Sequence, residues 1–185
     1  MVAASVHAQI LGASFERLPP LLRGVHDARP RKEFSGRCSI DSGRNWLARV
    51  IALFASLPRR SHADVAIHVV IERSDGSETS ELRETWTRRF GEQRMRSIIR
   101  PGRDGLEECF GPIVLTFGLI AEQDRIIWRI KGARLLFLPL PTALFAGCGA
   151  FEMIVDGRYC FDARAGIAGI GLLVHYKGWL TEHGG

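Results

Sequence analysis

Apolar residues recur at helical spacing in two stretches near the N-terminus. The first runs from Val6 to about Asp27 and is interrupted by Pro19-Pro20. It therefore predicts two short helices, with a proline in the first turn of the second. The second stretch, residues 43–57, places its large apolar side chains on one stripe of a helix that ends before a proline. That stripe contains Trp46, Leu47, Val50, Ile51, Phe54 and Leu57.

From residue 64 onward the apolar period changes to two, which is the period of β-strands. Val65–Ile71 alternates in this way, and Glu33–Ile40, earlier in the chain, could form a first strand. Ser74–Ser77 predicts a turn, and the polar stretch Glu78–Glu84 lengthens either that turn or its strand. Further strands are predicted at 85–90, 93–100, 106–110, 113–121, 125–131, 151–155, 159–163 and about 172–179. No predicted helix separates successive strands, so we expect an antiparallel sheet.

These elements indicate a single α+β domain over residues 1–185, helical at 5–58 and with an antiparallel sheet at 64–180. An antiparallel sheet with one apolar face must bury that face against another layer. The curved, mainly antiparallel sheet is therefore expected either to close on its own core like a barrel or to grip the 46–57 helix. A curved sheet packed on a helix leaves a natural place for a cavity.

The longest uncharged stretch runs from Leu135 to Phe151 and is rich in apolar residues. Its prolines and glycines argue against a transmembrane helix, and prolines in a sheet occur at edges or in loops. Such a segment caps the core, closes a cavity, meets a partner or touches a membrane surface. The residues predicted to form a lid or partner surface are Leu138, Pro139, Leu140, Pro141 and Phe145.

Composition narrows the class of protein without identifying it. Hydrophobic residues make up 46% and charged residues 24% of the 185, which is ordinary for a globular domain. The net charge of +5 comes from dispersed arginines interleaved with acids, so we do not expect nucleic-acid binding. The four cysteines form no CxxC pair, so we expect no metal site and a reducing compartment. Without a basic N-terminal signal region, the predicted location is the cytoplasm.

Trp86, Arg88 and Phe90 share one face of a predicted strand. If that face points inward, a buried arginine needs a carboxylate partner or an anionic ligand. Glu107, Glu108 and Asp162 are the candidate partners, and Arg88 would bind the acidic head group of a ligand in the cavity. The alternative is an outward Arg88 packed along an aromatic ring.

Histidines offer the other candidate chemistry. In strand alternation His68 shares a face with Glu72, and His175 shares one with Lys177. A histidine oriented by a carboxylate could act as a general base, although a solvent-facing strand histidine is the simpler interpretation. His26 lies near the end of a predicted helix, where a cation is favoured. We include His175 among the ligand-binding candidates, together with Trp86, Arg88, Phe90 and Glu108.

No established catalytic or nucleotide-binding signature is present. The glycine-rich Gly166–Gly171 lies between two predicted strands and opens no helix, so it does not meet the context of a dinucleotide loop. The chain has no GxSxG, HExxH or GKS/T sequence. We therefore expect no cofactor and favour a protein that is not an enzyme.

Several short motifs nevertheless occur in an order that resembles a known family. They are Leu11-Gly12 with Phe15 and Leu18-Pro19, Trp86–Gly91, Phe110-Gly111-Pro112, Leu138–Pro141, Asp156–Asp162 and Gly171–Leu180. Together they resemble an uncharacterised bacterial domain of unknown function, found alone or behind a saccharopine-dehydrogenase-like NAD(P)-binding domain. The resemblance covers nearly the whole chain and implies no established activity, ligand or catalytic residue.

Three functions remain open at this point. The first is a non-catalytic domain that binds an apolar or lipid-like small molecule between a curved sheet and a helix. The second is an interaction module that docks onto a separately encoded oxidoreductase, by analogy with the fused relatives. The third is an enzyme that uses His68 or His175 with a nearby carboxylate in a pocket.

Overall fold

The computed structural model describes residues 4–75 and 82–183. Within these ranges the helices are α1 (Val6–Leu11), α2 (Pro20–Val25) and α3 (Trp46–Phe54), with 3-10 turns at Gly12–Arg17 and Thr142–Phe145. The strands are β1 (Arg31–Ser42), β2 (His62–Asp75), β3 (Leu82–Phe90), β4 (Gln93–Pro101), β5 (Leu106–Phe110), β6 (Ile113–Ala121), β7 (Arg125–Leu135), β8 (Leu138–Leu140), β9 (Gly149–Val155), β10 (Arg158–Ile167) and β11 (Gly171–Glu182). No helix in the described ranges is long and apolar enough to cross a membrane.

The strands form a closed antiparallel barrel of ten strands. Each of β1 to β6 pairs with the strand that follows it, and β7 pairs with β9. The ring continues from β9 through β10 to β11, which pairs with β1. The remaining strand, β8, pairs with β7 outside this ring. The expectation of a curved antiparallel sheet is confirmed in its barrel form. Helices accompany the sheet, as α+β implies, but the barrel makes the protein mainly β.

Most predicted strands are found within a few residues of their predicted bounds. The first strand, β1, contains the possible strand at Glu33–Ile40, although the wider region 5–58 was expected to be helical, and it supplies the closing pair of the barrel. The turn predicted at Ser74–Ser77 is wrong for Ser74 and Asp75, which belong to β2, and its other two residues lie outside the described residues. The apolar 135–151 segment contains β8 and a 3-10 turn, as an edge segment with prolines should.

The two ends of the barrel are covered differently. At one end, here called the capped end, α1 packs on β3 to β6 and α2 packs on β9 and β10. At the other end, here called the α3 end, α3 follows β1 and packs on β11. The turns between β5 and β6, β7 and β8, and β10 and β11 also lie at the α3 end, because the strands alternate in direction.

Helix α3 faces the barrel with its small side, and the predicted apolar stripe largely points away. Ala48, Ala52 and Ala55 are buried, whereas Trp46, Val50 and Phe54 are exposed. The physical reason is the close approach of the chain to β11: a Cβ at Gly43 would lie 2.1 Å from the Leu172 carbonyl oxygen and 2.8 Å from the Ala48 Cβ. Only small side chains fit between helix and barrel there. The helix begins where the Asn45 Oδ1 accepts a hydrogen bond from the Ala48 N–H at 2.7 Å.

Candidate functional site

A cavity of about 130 Å³ lies inside the barrel. Its volume is close to that of an engineered cavity of about 150 Å³ that binds benzene. Most of its wall is apolar and comes from inward-facing strand residues. The members nearest the α3 end are Ile51, Ala55, Leu57, Phe110, Ile113, Phe145, Ile167 and Leu173. Toward the capped end the wall becomes polar.

Arg88 stands in the middle of the cavity wall as a buried cation. Its Nη1 donates to Ser97 Oγ at 2.9 Å, and its Nη2 lies 3.3 Å from Glu108 Oε1. Ser97 Oγ also donates to Glu108 Oε1 at 2.7 Å. The guanidinium lies over the Trp86 ring, 4.8 Å from the ring centroid. The charge of Arg88 is therefore balanced and held in place by Glu108, one of the three partners predicted from the sequence.

Glu152 forms a second polar group nearer the capped end. Burial raises the pKa of Glu152 to about 7, so near neutral pH the carboxyl is protonated for much of the time. Tyr159 forms a side-chain hydrogen bond with Glu152, and burial raises the pKa of the Tyr159 phenol well above its ordinary value. The Nε2 of His26 lies 2.5 Å from Glu152 Oε2, so the imidazole and the carboxyl share a hydrogen bond.

Behind Glu152 the capping helices contribute a stacked pair of fully buried histidines. His7 on α1 and His26 at the end of α2 have ring centroids 3.7 Å apart. Burial lowers the pKa of both imidazoles well below 6.5; the neighbouring His26 also lowers that of His7, and Lys32 that of His26. Among the described residues, neither ring nitrogen of His7 nor Nδ1 of His26 has a hydrogen-bond partner. His26 does lie at a helix end as predicted, but the expected cation is wrong because the site is buried.

Sequence reasoning missed this histidine pair. His7 and His26 occur inside apolar segments at helical spacing, next to Val6 and Val25, and that position was the available signal of burial. The contact of this pair with Glu152 could not be predicted from local patterns, because His26 and Glu152 lie 126 positions apart in the chain. Tertiary contact alone brings the three side chains together.

The structure brings together part of the predicted ligand-binding set. Trp86, Arg88 and Glu108 line the cavity. Phe90 is buried but packs edge-to-face on Tyr176, at 5.3 Å between ring centroids, and does not line the cavity. His175 lies outside the cavity wall, where its Nε2 is 2.8 Å from Asp162 Oδ1. The role of these residues in ligand binding stays a prediction.

The predicted pairing of His68 with Glu72 is not observed. The Nε2 of His68 lies 3.8 Å from Glu33 instead, and both side chains are more than a third exposed. Glu72 pairs with Arg31 at 2.7 Å. Neither His68 nor His175 lines the cavity, so the structure places neither of them beside a carboxylate in that pocket.

The predicted lid segment divides into two parts. Phe145 is buried and lines the cavity near the α3 end, and Leu140 is half-buried against the core. Leu138, Pro139 and Pro141 are exposed. The segment therefore combines one residue of the cavity wall with others that the described part of the chain leaves exposed.

The chain matches one described family over most of its length. The family called Domain of unknown function (DUF4166) covers residues 18–180. No curated protein matches the chain significantly. The motifs quoted for the resemblance lie almost entirely within the matched range.

Proposed function

We propose that this chain, which belongs to the Domain of unknown function (DUF4166) family, binds a small and largely apolar molecule inside its barrel. The observation that carries the proposal is the cavity, whose wall is apolar near the α3 end and carries buried hydrogen-bonding groups toward the capped end. A concave apolar site with a few convergent polar groups is the usual form of a small-molecule site. The apolar part would hold the ligand's hydrocarbon, and the polar groups would orient its head group.

The charge balance of the cavity favours a neutral head group over the acidic one expected from Arg88 alone. Arg88 is already paired with Glu108, and Glu152 is a second carboxyl in the same wall. An acidic ligand would bring a further negative charge beside Glu108, where solvent screens little. A hydroxyl, carbonyl or amide group could instead exchange hydrogen bonds with Glu152, Tyr159 and Arg88 at no cost in net charge.

The cavity volume limits the size of the ligand. About 130 Å³ accommodates one ring or a short hydrocarbon chain. A longer lipid-like molecule would extend toward the α3 end and require Phe145 or α3 to move. We therefore propose a compact apolar ligand, with entry at the α3 end past Phe145.

Native mass spectrometry before and after organic extraction tests whether such a molecule co-purifies. A mass above that of the chain, lost on extraction, is the expected result. Thermal unfolding with added 1-hexanol and toluene provides a second readout, because a ligand that binds only the folded state raises Tm. A bare mass together with an unchanged Tm for both probes would overturn the proposal.

A matched pair of variants ties the binding to this cavity. Ala150→Leu adds volume inside the wall and should abolish both the extractable mass and the Tm shift. Ala66→Leu makes the same chemical change at an exposed position on β2 and should leave both intact. Equal loss in the two variants would show that the signal does not come from the cavity.

The other two hypotheses remain predictions. Docking onto an oxidoreductase rests on the resemblance alone. The enzyme hypothesis required His68 or His175 beside a carboxylate in a pocket, and their positions outside the cavity wall weigh against it.

A further inference from the structure

The outward face of α3 is apolar, although it is covered by nothing in the described chain. Trp46 is 75% exposed and Phe54 is 70% exposed, and Leu47, Val50 and Leu53 on the same helix are also exposed. Isolated exposed apolar residues are normal on soluble proteins, but a contiguous group of this size marks an interaction surface.

The β7–β8 turn supplies a second exposed apolar group at the same end of the barrel. Phe137 at its tip is 90% exposed, and its neighbours Leu136 and Leu138 are exposed as well. The Leu136 N–H donates to the Pro112 carbonyl at 2.7 Å, which fixes this turn against the β5–β6 turn. A Cβ at Gly111 in that β5–β6 turn would lie 3.9 Å from the Phe54 carbonyl oxygen. The two apolar groups therefore flank the same turn and form one surface, here called the apolar rim.

The segment that contains α3 has charges of one sign. Residues 43–61, which include α3, contain four arginines and no acidic residue. These arginines, Arg44, Arg49, Arg59 and Arg60, are all exposed, and no salt bridge of theirs occurs among the described residues. Of the other segments at this end, 110–119, 135–151 and 165–174 contain no charged residue, whereas the β3–β4 turn carries the exposed Glu92.

The turns at the capped end, in contrast, contain acidic residues. Those at 102–105, 122–124 and 156–158 each carry at least one acidic residue, as surface turns ordinarily do. The contrast between the two ends of one barrel shows that the apolar rim is a local property of the α3 end. Apolar side chains with Trp and Phe, bordered by unpaired arginines, are the composition of helices that lie in the interface of an anionic bilayer.

We propose that the α3 end docks on the surface of an anionic lipid bilayer. Trp46, Phe54 and Phe137 would enter the headgroup–acyl boundary while the arginines of 43–61 contact lipid phosphates. A protein partner is the less favoured occupant, because a complementary protein would have to offer acidic groups around an apolar centre, and a bilayer provides both without a specific shape. The proposal rests on the rim surface and does not depend on what occupies the cavity.

Vesicle flotation with the full chain tests this proposal. We expect flotation with vesicles of phosphatidylcholine and phosphatidylglycerol in equal parts, and much less with phosphatidylcholine alone. Raising NaCl from about 0.1 to about 1 M shortens the Debye length from ~10 to ~3 Å, so it should weaken the binding. Trp46 fluorescence should shift to shorter wavelength on binding, and Trp46→Phe should remove that shift.

Matched variants distinguish binding through the apolar rim from nonspecific adsorption to vesicles. Phe137→Glu should reduce the bound fraction at least tenfold, whereas Val155→Glu, an exposed apolar residue of the β9–β10 hairpin at the capped end, should not. Arg49→Gln should weaken binding to anionic vesicles about fivefold, the effect of one cation near such a surface. Arg103→Gln, exposed in a turn at the capped end, serves as its control. These side chains are exposed, so circular dichroism and Tm should stay unchanged.

Three results would overturn the proposal. They are the absence of flotation with anionic vesicles, equal losses in Phe137→Glu and Val155→Glu, and a dimer that Phe137→Glu converts to monomer without vesicles. The last would assign the rim to a second copy of the chain. If anionic vesicles bind while the extraction and Tm experiments fail, docking stands and the cavity proposal falls; the reverse pattern gives the reverse conclusion.

Discussion

Buried charged and polar side chains are the feature that most distinguishes the interior of this barrel at the scale of single residues. Arg88, Glu108 and Glu152 are nearly inaccessible, and each is satisfied by named partners. Such groups are costly to bury, and a buried pair adds little stability over apolar residues of the same volume. The proposed recognition of a ligand would account for their presence in a wall that is otherwise apolar.

Removing one member of the buried pair should be far more damaging than removing both. Glu108→Gln leaves Arg88 charged and without a counter-charge, so we expect the free energy of unfolding to fall by about 3–5 kcal/mol. Arg88→Met combined with Glu108→Leu should recover much of that loss. Urea unfolding measures both. As a control, Glu72→Gln breaks an exposed pair with Arg31 and should cost at most about 1 kcal/mol. A loss for Glu108→Gln no larger than this control would show that Arg88 does not depend on Glu108.

The histidine pair predicts a loss of stability in acid. Burial lowers the pKa values of His7 and His26, so between their folded values and 6.5 the unfolded chain binds more protons. Their contribution to stability is therefore complete above about pH 6.5 and is lost as the pH falls below it. Each unmatched proton changes the free energy of unfolding by about 1.4 kcal/mol per pH unit. Urea unfolding at a series of pH values from 7.5 to 5 should show the decline.

Glu152 has the opposite effect on the pH dependence of stability. Its pKa is raised from 4.5 to about 7, so in that range the folded chain holds the extra proton and gains stability as the pH falls. This gain offsets the loss of stability that comes from one of the two histidines. Glu152→Gln removes the offset, so the decline below pH 6.5 should be steeper in the variant than in the natural chain. Equal slopes, or stability that rises on acidification in both proteins, would contradict the assignment of these buried groups.

At the scale of elements, α3 shows how an apolar pattern can be correct and its orientation wrong. Its spacing predicts a helix, and a helix is present at Trp46–Phe54. The pattern did not reveal that the buried side is the alanine side, because both sides of the helix are apolar. The choice depends on the distance between helix and barrel, and the close approach at Gly43 sets that distance.

The position of α3 should depend on Asn45. Its side chain caps the helix at Ala48 N–H and also donates from Nδ2 to the Ile170 carbonyl at 2.6 Å, which links the helix to the β10–β11 turn. Asn45→Ala should lower the free energy of unfolding by about 1 kcal/mol or more. Asn45→Asp keeps the cap acceptor but loses the donor to Ile170. Thermal unfolding should place Asn45→Asp between Asn45→Ala and the natural chain; equal losses would assign the whole effect to the link with Ile170.

At the scale of the whole molecule, the decisive event is the closure of the barrel by β1 and β11. These strands lie near the two termini of the chain and pair over nine positions, from Phe34–Glu182 to Ser42–Val174. Closure removes the sheet edges and encloses the cavity. It also separates the two barrel ends, so that a polar capped end and an apolar α3 end stand opposite each other.

Closure requires glycine where β11 and β1 pass close to each other. A Cβ at Gly178 would lie 2.2 Å from the Arg37 carbonyl oxygen, so Gly178→Ala should force the two strands apart and lower the free energy of unfolding by about 1–3 kcal/mol. A Cβ at Gly147 would meet nothing within 4 Å. Gly147→Ala is therefore the matched control, with an expected change within about 0.5 kcal/mol. Equal stability of the two variants by urea unfolding would show that the closing pair tolerates separation.

The sequence by itself determined the local properties of this protein. Alternation identified most of the strands and placed Trp86, Arg88 and Phe90 on one face of a strand, because the period of a strand belongs to neighbouring residues. The tertiary structure decided that this face points inward. The sequence also located the apolar 135–151 segment and proposed Glu108 among the partners of Arg88. These inferences needed only residues close together in the chain and the rule that a buried cation requires a counter-charge.

Only the tertiary structure decided the remaining features. Contacts between distant parts of the chain decide that the sheet closes into a barrel rather than gripping a helix, and which side of α3 points outward. They also bring His7, His26 and Glu152 together. Those contacts are selected by the packing of the whole molecule, in which the pairing of β1 with β11 sets the size of the interior. Local periodicity contains no information about contacts between distant parts of the chain. The positions of the cavity and of the apolar rim therefore could not be predicted from it.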